Sequence, residues 1–214
     1  MTRDTRAIIL QTADCLVRTR GYSAFSFADL AESAGIAKAS VHHHFPSKEA
    51  LALALMDDFM ERLRKMLLHI DRQHATASGR LRACGDVFMQ NFESGMLPFC
   101  AAMSAERSAL PRSLHPGIHD VYQLELDWIR GVLEDGRKDG SFAPQISPEV
   151  MAPLVISVFG GATLTGWGLQ RRELIHTAFE AVFAVIERPR EQTRRRASGK
   201  PAKRKTPGNT EAGE

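Results

Sequence analysis

The sequence predicts an all-α protein in two parts, an N-terminal three-helix unit containing a helix-turn-helix and a larger C-terminal helical unit. Three observations carry this. Apolar residues recur at helical spacing in one segment after another, and no convincing alternating pattern suggests a strand. Residues 25–51, FSFADLAESAGIAKASVHHHFPSKEAL, spell two short helices about a tight turn and the start of a third.

In chain order, Ile9, Ala13, Leu16 and Val17 form the apolar stripe of a first helix that Gly21 ends. Ser26 is a favourable N-cap, and Asp29 three residues later gives a carboxylate form of the capping box. Phe27, Leu30, Ala31 and Ala34 then recur at helical spacing. Gly35 follows at the position where a left-handed backbone costs least without a Cβ. Ile36 closes the turn. Residues 37–45 form a helix with Val41 and Phe45 on one face, and small Ala31 opposite Val41 permits the close crossing of a helix-turn-helix. A long fourth helix over 47–70 carries Leu51, Leu55, Phe59, Leu63, Leu67 and Ile70. A polar break at 73–79 precedes helices at 80–92, 98–110 and 116–138. Gly140 and Pro144 mark a loop, and Ser147-Pro148-Glu149 is an N-cap with proline at the first helical position. Helices at 150–169 and 173–187 close the body.

The chemistry of the turn motif is that of nucleic-acid recognition. A helix fits the major groove of B-DNA, and residues near its N-terminal end reach base edges. Lys38, Ala39 and Ser40 occupy that end: Lys38 can donate to guanine, the Ala39 methyl can touch thymine, and Ser40, His42, His43 and His44 can donate to phosphates or bases. Lys48 adds an ammonium at the start of the next helix, where free N–H groups and the helix dipole favour phosphate.

These residues resemble the TetR family of bacterial transcriptional regulators. The match runs through Gly21-Tyr22, Ser26 to Ala31, Ala34-Gly35-Ile36, Lys38 to Phe45 and Ser47 to Leu51, about the first quarter of the chain. Ala37 stands where the family often has a capping Ser or Thr, Ala39 where Gly is frequent, and His42 where a phosphate-binding Tyr is usual. The resemblance implies phosphate roles for Ser26, His42 and Lys48. It implies a DNA-binding domain over 3–64 and an effector-binding and dimerisation domain over 65–187, with a small-molecule pocket between the central helices. Phe88, Phe92, Cys100, Met103, Trp128 and Phe159 are the candidate pocket residues, alongside Met96, Tyr122 and Trp167. It also implies a homodimer through the last two helices, where Ala178, Phe179, Val182, Phe183 and Ile186 form one stripe and Val150, Leu154, Val158 and Gly161 another. The expected partners are a double-stranded DNA operator, a small-molecule effector and a second copy of the chain.

Composition narrows the alternatives. The net charge of +3 conceals nine basic and three acidic residues in 188–214, a net +6 that leaves −3 on the other 187 residues. That segment is nearly free of apolar side chains, so its composition predicts a disordered basic tail that either adds sequence-independent attraction to phosphate or has no role. No run of 18 uncharged apolar residues marks a membrane span, and residues 1–10 lack a signal peptide's apolar segment. Three cysteines, Cys15, Cys84 and Cys100, lack metal-like spacing and fit a reduced, cytoplasmic setting. Three consecutive histidines on a helix point about 100° apart and cannot converge on one ion, and His115 with His119 lack a supporting ligand, so no metal or other cofactor is expected. No phosphate loop, nucleophile elbow or zinc-hydrolase spacing appears, so no enzymatic activity is expected. Cys15 and Cys84 fall on apolar stripes and read as core. Cys100 begins a helix near Arg107, which leaves open a buried structural thiol or, as an alternative function, a redox or electrophile stress sensor.

Overall fold

The computed structural model describes residues 4–145 and 147–187, and the predicted basic tail lies outside them. Nine α-helices and one short 3₁₀ turn, with no strand, make up the described residues. Helix α1 (Thr5–Arg20) starts on Asp4, whose carboxylate accepts the Arg6 and Ala7 N–H groups at 3.0 and 3.4 Å. It ends at Gly21 (φ 96°), where a Cβ would lie 2.3 Å from the Glu106 carboxylate. Helices α2 (Phe27–Ala34), α3 (Lys38–His44) and α4 (Lys48–Gln73) complete the first unit.

Two boundaries differ from expectation. The polar break after α4 is only three residues long, because the Thr76 hydroxyl accepts the Gly79 N–H at 3.1 Å and starts α5 (Ala77–Glu93) early. Helix α6 (Phe99–Ala105) stops well short of residue 110. Arg107 and Ala109 turn back onto Ser104 and Glu106, ahead of Pro111, which disfavours helix in the preceding residue. The 3₁₀ turn Arg112–Leu114 then leads into α7 (His115–Asp139), and α8 (Pro148–Leu169) and α9 (Arg172–Ile186) follow. The end of α9 is tied to the α7–α8 connection by a bridge between Phe142 and Glu187.

Apolar packing forms two cores that do not follow chain order. The first joins α1–α4 to α6 and the start of α7, with Ile9, Leu30, Val41, Leu55, Met103 and Leu114 at its centre. The second lies between the end of α4 and α5, α7, α8 and α9, around Leu81, Ile129, Phe159, Ile175 and Ile186. Met66 and Trp128 pack against both. Since α4 crosses residue 64 without a break and α6 joins the first core, a domain boundary at 64/65 remains our division of a continuous helix.

Helix α8 is long and apolar, with Ser, Thr and Gly interrupting its apolar residues. By length and composition alone it could cross a membrane, with a mean hydropathy of 1.5 over its most apolar window. One face packs on α7 and α9, while Val150, Leu154, Leu164 and Leu169 stand exposed on the others.

Candidate nucleic-acid interface and ligand cavity

Local chemistry builds the turn motif as expected. Ser26 Oγ accepts the Ala28 and Asp29 N–H groups at 3.2 and 3.3 Å, and the Asp29 carboxylate accepts the Ser26 N–H at 2.7 Å. The Ser26 hydroxyl also donates to Asp29 at 2.6 Å, so its capacity is spent on the cap. Gly35 adopts the left-handed conformation (φ 65°, ψ 35°), and the Ile36 N–H reaches back to the Ala31 carbonyl at 3.0 Å. Ala37 gives α3 no side-chain cap.

On α3, Val41 and Phe45 are buried against α1 and α2, which turns Lys38, Ala39, His42 and His43 to solvent as one face. Ser40 and His44 flank it, half-buried. The His42 ring meets the edge of Phe27 at 4.9 Å between centroids, which fixes the imidazole beside the α2 N-terminus.

Lys48 behaves differently from the sequence expectation. Its ammonium donates to the Phe25 carbonyl and lies 4.3 and 4.7 Å from the Phe25 and Tyr22 ring centres. Burial lowers its pKa, with Glu106 and Asp29 acting in the opposite sense. The side chain fastens α4 to the α1–α2 connection, and its charge points inward rather than to a phosphate approaching the helix end.

The second site is a cavity of about 860 Å³ between α4, α5, α6, α7 and α8, in the size range of small-molecule sites. Phe88, Cys100 and Trp128 line it, as does Tyr122. Met103 and Phe159 do not: both are fully buried in the two cores, Phe159 against Phe88 and Phe179 at 5.5 and 4.4 Å. Phe92 packs edge-on to Trp167, away from the wall. The apolar stripes of α5 and α8 could not separate side chains that face a void from those that fill the core.

The three charged wall residues, Glu125, Arg18 and Arg62, escaped the sequence reading. Glu125 lies on α7 one turn from buried Val121 and one turn from buried Ile129, and a carboxylate within an apolar stripe was the available signal. It makes no hydrogen bond and no ion pair among the described residues. Burial pushes its carboxyl up to about 7.

The arginines belong to one network, buried at Arg18 and Asp14 and half-exposed at Arg62 and Asp58. Arg18 Nε donates to the Leu97 carbonyl at 2.7 Å, and the Leu97 N–H returns to the Arg18 carbonyl at 3.1 Å. Asp14 accepts from Arg18 at 3.4 Å and from Arg62 at 3.0 Å, and Arg62 also holds Asp58 at 2.8 Å. Glu106, just past α6, accepts the Ser23 N–H at 2.9 Å. The segment from Leu97 to Glu106 therefore lines the cavity with Cys100 and Ser104 while its ends grip α1 and the α1–α2 turn.

One thiol corrects an expectation: Cys15 is exposed rather than core, whereas Cys84 is buried as expected. Cys100 is buried, in line with the structural-thiol reading, and burial pushes its thiol up. No group of three or more potential metal ligands occurs among the described residues.

Residues 9–55 match the family of bacterial regulatory proteins, tetR family. The turn-motif unit is thus similar to the DNA-binding unit of TetR-family regulators. The HTH-type transcriptional repressor KstR2 of Mycolicibacterium smegmatis is 28% identical over 148 residues, covering 67% of this chain and 70% of that protein. A TetR-family regulator from Agrobacterium tumefaciens has the same fold, with a TM-score of 0.82 at 23% identity over 87% of this chain and 99% of its own. A TetR regulator from Legionella pneumophila superposes with a TM-score of 0.79 at 25% identity, over 87% and 100% of the two chains. The TetR match covers the turn motif itself, while the structural likeness extends through the cavity-bearing helices.

Proposed function

We propose that this chain is a cytoplasmic transcriptional repressor of the TetR family that binds a palindromic operator as a homodimer and leaves it when a small molecule fills the cavity. The observation that carries the reading is the double attachment of α6: one side forms cavity wall, and its flanking residues hold α1 through Arg18 and the α1–α2 turn through Glu106. A ligand that wedges α6 outward displaces the reading head with it. Occupancy shifts the population by the difference in its affinity for the two arrangements, and operator DNA opposes the ligand by the same factor. KstR2 bears the name of a repressor, which supports repression as the outcome.

The exposed face of α3 supplies the readout. Lys38 and Ala39 are positioned for base edges, His42 and His43 for bases or phosphate, and Ser40 and His44 for the groove wall. Ser26 and Lys48 act indirectly, one capping α2 and the other locking α4 to it. Two such heads must sit about 34 Å apart to read successive major grooves. The outer faces of α8 and α9 support a two-fold pairing: Val150 and Leu154 stand exposed on α8 away from the cavity, and Val185 stands exposed beside Ala181 on α9. Phe179 and Phe183 point into the protomer core instead, so the dimer stripe differs from the one the sequence suggested.

Selection from random duplex DNA tests the reading. Recovery of an inverted repeat, bound by a dimer, is the expected result. A thiol sensor would require Cys100→Ser to abolish oxidation-dependent release, and a buried, largely protonated thiol argues against that outcome. Failure to enrich any site, with the protein folded, would remove the regulator reading.

A further inference from the structure

We infer that the cavity takes an amphipathic organic cation, an apolar alkyl or aryl body bearing an amine or quaternary ammonium, with Glu125 as its counter-ion. The inference rests on the cavity being the effector site and names the chemistry of its ligand. The charged groups of the wall do not balance among themselves. Arg18 from α1 and Arg62 from α4 are each engaged by Asp14, with Asp58 completing Arg62. Cys84 from α5, Cys100 from α6 and Tyr122 from α7 are neutral, since burial pushes all three up. Helix α8 contributes Pro153, Ile156, Ser157 and small or apolar neighbours, and no charge. Two guanidiniums thus face two carboxylates, and Glu125 is left over.

An ionised carboxylate in such surroundings is costly unless it is paired, and a buried one either takes up a proton or finds a cation. No residue of the protein supplies that cation among the described residues. A ligand ammonium can do so, beside the aromatic rings of Phe88 and Trp128 on the same wall. An anionic ligand would meet Glu125 as a like charge, and a neutral one would leave it to protonate.

The test uses three probes with one tail: dodecyltrimethylammonium, dodecanol and dodecanoate. Each is titrated calorimetrically into the full-length protein below its micellar concentration, at pH 8 and at pH 5.5. The ammonium is expected to bind at least about tenfold tighter than dodecanol at pH 8, and dodecanoate weakest. With the free carboxyl titrating at about 7, roughly thirtyfold of the ammonium affinity should be lost at pH 5.5, where only a few per cent of Glu125 is ionised. At pH 5.5, where the native carboxyl is protonated, Glu125→Gln should bind dodecanol as the native protein does, with circular dichroism checking its fold; it should lose both the preference and the pH dependence. The inference is overturned if the ammonium binds no better than dodecanol, if Glu125→Gln retains the preference, or if dodecanoate binds best, which would assign recognition to Arg18 and Arg62. Dodecanol binding without ammonium preference sinks this inference alone; no binding by any probe sinks the effector site with it.

Discussion

Asp14 is the residue on which α1, α4 and the α5–α6 connection converge, and its removal should be among the most damaging single changes outside the apolar cores. Its side chain is 11% exposed and that of Arg18 is 7% exposed. Arg18 cannot shed its proton at any working pH, so Asp14→Ala leaves a buried guanidinium with only the Leu97 carbonyl and places it near Arg62 without the intervening carboxylate. Removing one partner of a buried pair costs about 3–5 kcal/mol. The contact to Arg62 adds little, because that side chain is half-exposed and screened. A loss of about 3 kcal/mol in a chain of this size lowers Tm by roughly 6–12 °C. Arg18→Met is the informative control. It removes the buried cation, keeps much of the side-chain volume, and leaves Asp14 paired to Arg62, so it should cost clearly less. The double variant should fall short of the sum of the two. Urea unfolding at fixed protein concentration measures all three, since dimerisation would make the midpoint concentration-dependent. Arg18→Met should also keep operator binding while blunting release by ligand, because the side-chain half of the tie between Leu97 and α1 is gone and only the backbone bond remains. If Asp14→Ala were within about 1 kcal/mol of the native protein, the network would be a crystal-clear geometry without energetic weight.

Two further outcomes follow from the reading head and the outer helices. Lys48→Met should weaken binding to every DNA alike with the salt slope unchanged, since its ammonium is held by Phe25 rather than phosphate, whereas Lys38→Ala should cost about 1–3 kcal/mol of discrimination at one base position; a salt titration on operator and scrambled duplexes separates the two. Leu154→Glu, at an exposed site, should leave the protomer folded yet monomeric in sedimentation and unable to hold the operator, while Phe179→Glu, in the core, should unfold it; a Leu154→Glu protein that stayed dimeric would place the interface elsewhere.

The legible parts of this molecule are those written in short-range chemistry. The Ser26–Asp29 capping box, the left-handed Gly35 and the Val41–Phe45 pair involve residues within a turn or two of each other, and each formed as its spacing implied. What the sequence left unresolved depends on which of two apolar environments a stripe faces. Phe179 and Phe183 were equally suited to the protomer core or to a partner, and the core of α5, α8 and α9 claims them. Phe88 and Phe159 look alike in sequence, yet one borders the cavity and the other fills the core. Cys15 sits one position from buried Leu16 and falls on the outward face of α1. Lys48 carried the expected charge at the expected helix end, but two aromatic rings and a carbonyl from the α1–α2 connection took it inward. Long-range partners such as Leu97 for Arg18 leave no local trace.

Glu125 shows how a binding residue can oppose the fold that holds it, and this yields a prediction independent of any ligand. Its carboxyl titrates near 7 in the folded protein and near 4.3 in an unfolded chain. Between those values the folded state binds more protons than the unfolded one, so stability from this group falls as pH rises. The loss is complete above the folded value and, at 1.36 kcal/mol per unit, reaches no more than about 4 kcal/mol. Glu125→Gln keeps the size and removes the charge. Near pH 4.5 the variant and the native protein should unfold at similar denaturant concentrations; through pH 5–7 the variant should gain, and above pH 7.5 the gap should be constant. Taking the difference between the two proteins cancels every other titrating group they share. A glutamine variant less stable than the native protein at pH 8 would show that the carboxylate has a partner the cavity geometry does not reveal. A gain would mean that the native protein tolerates an unpaired charge at a cost in stability, as sites shaped for a ligand commonly do, and that the ligand, once bound, removes it.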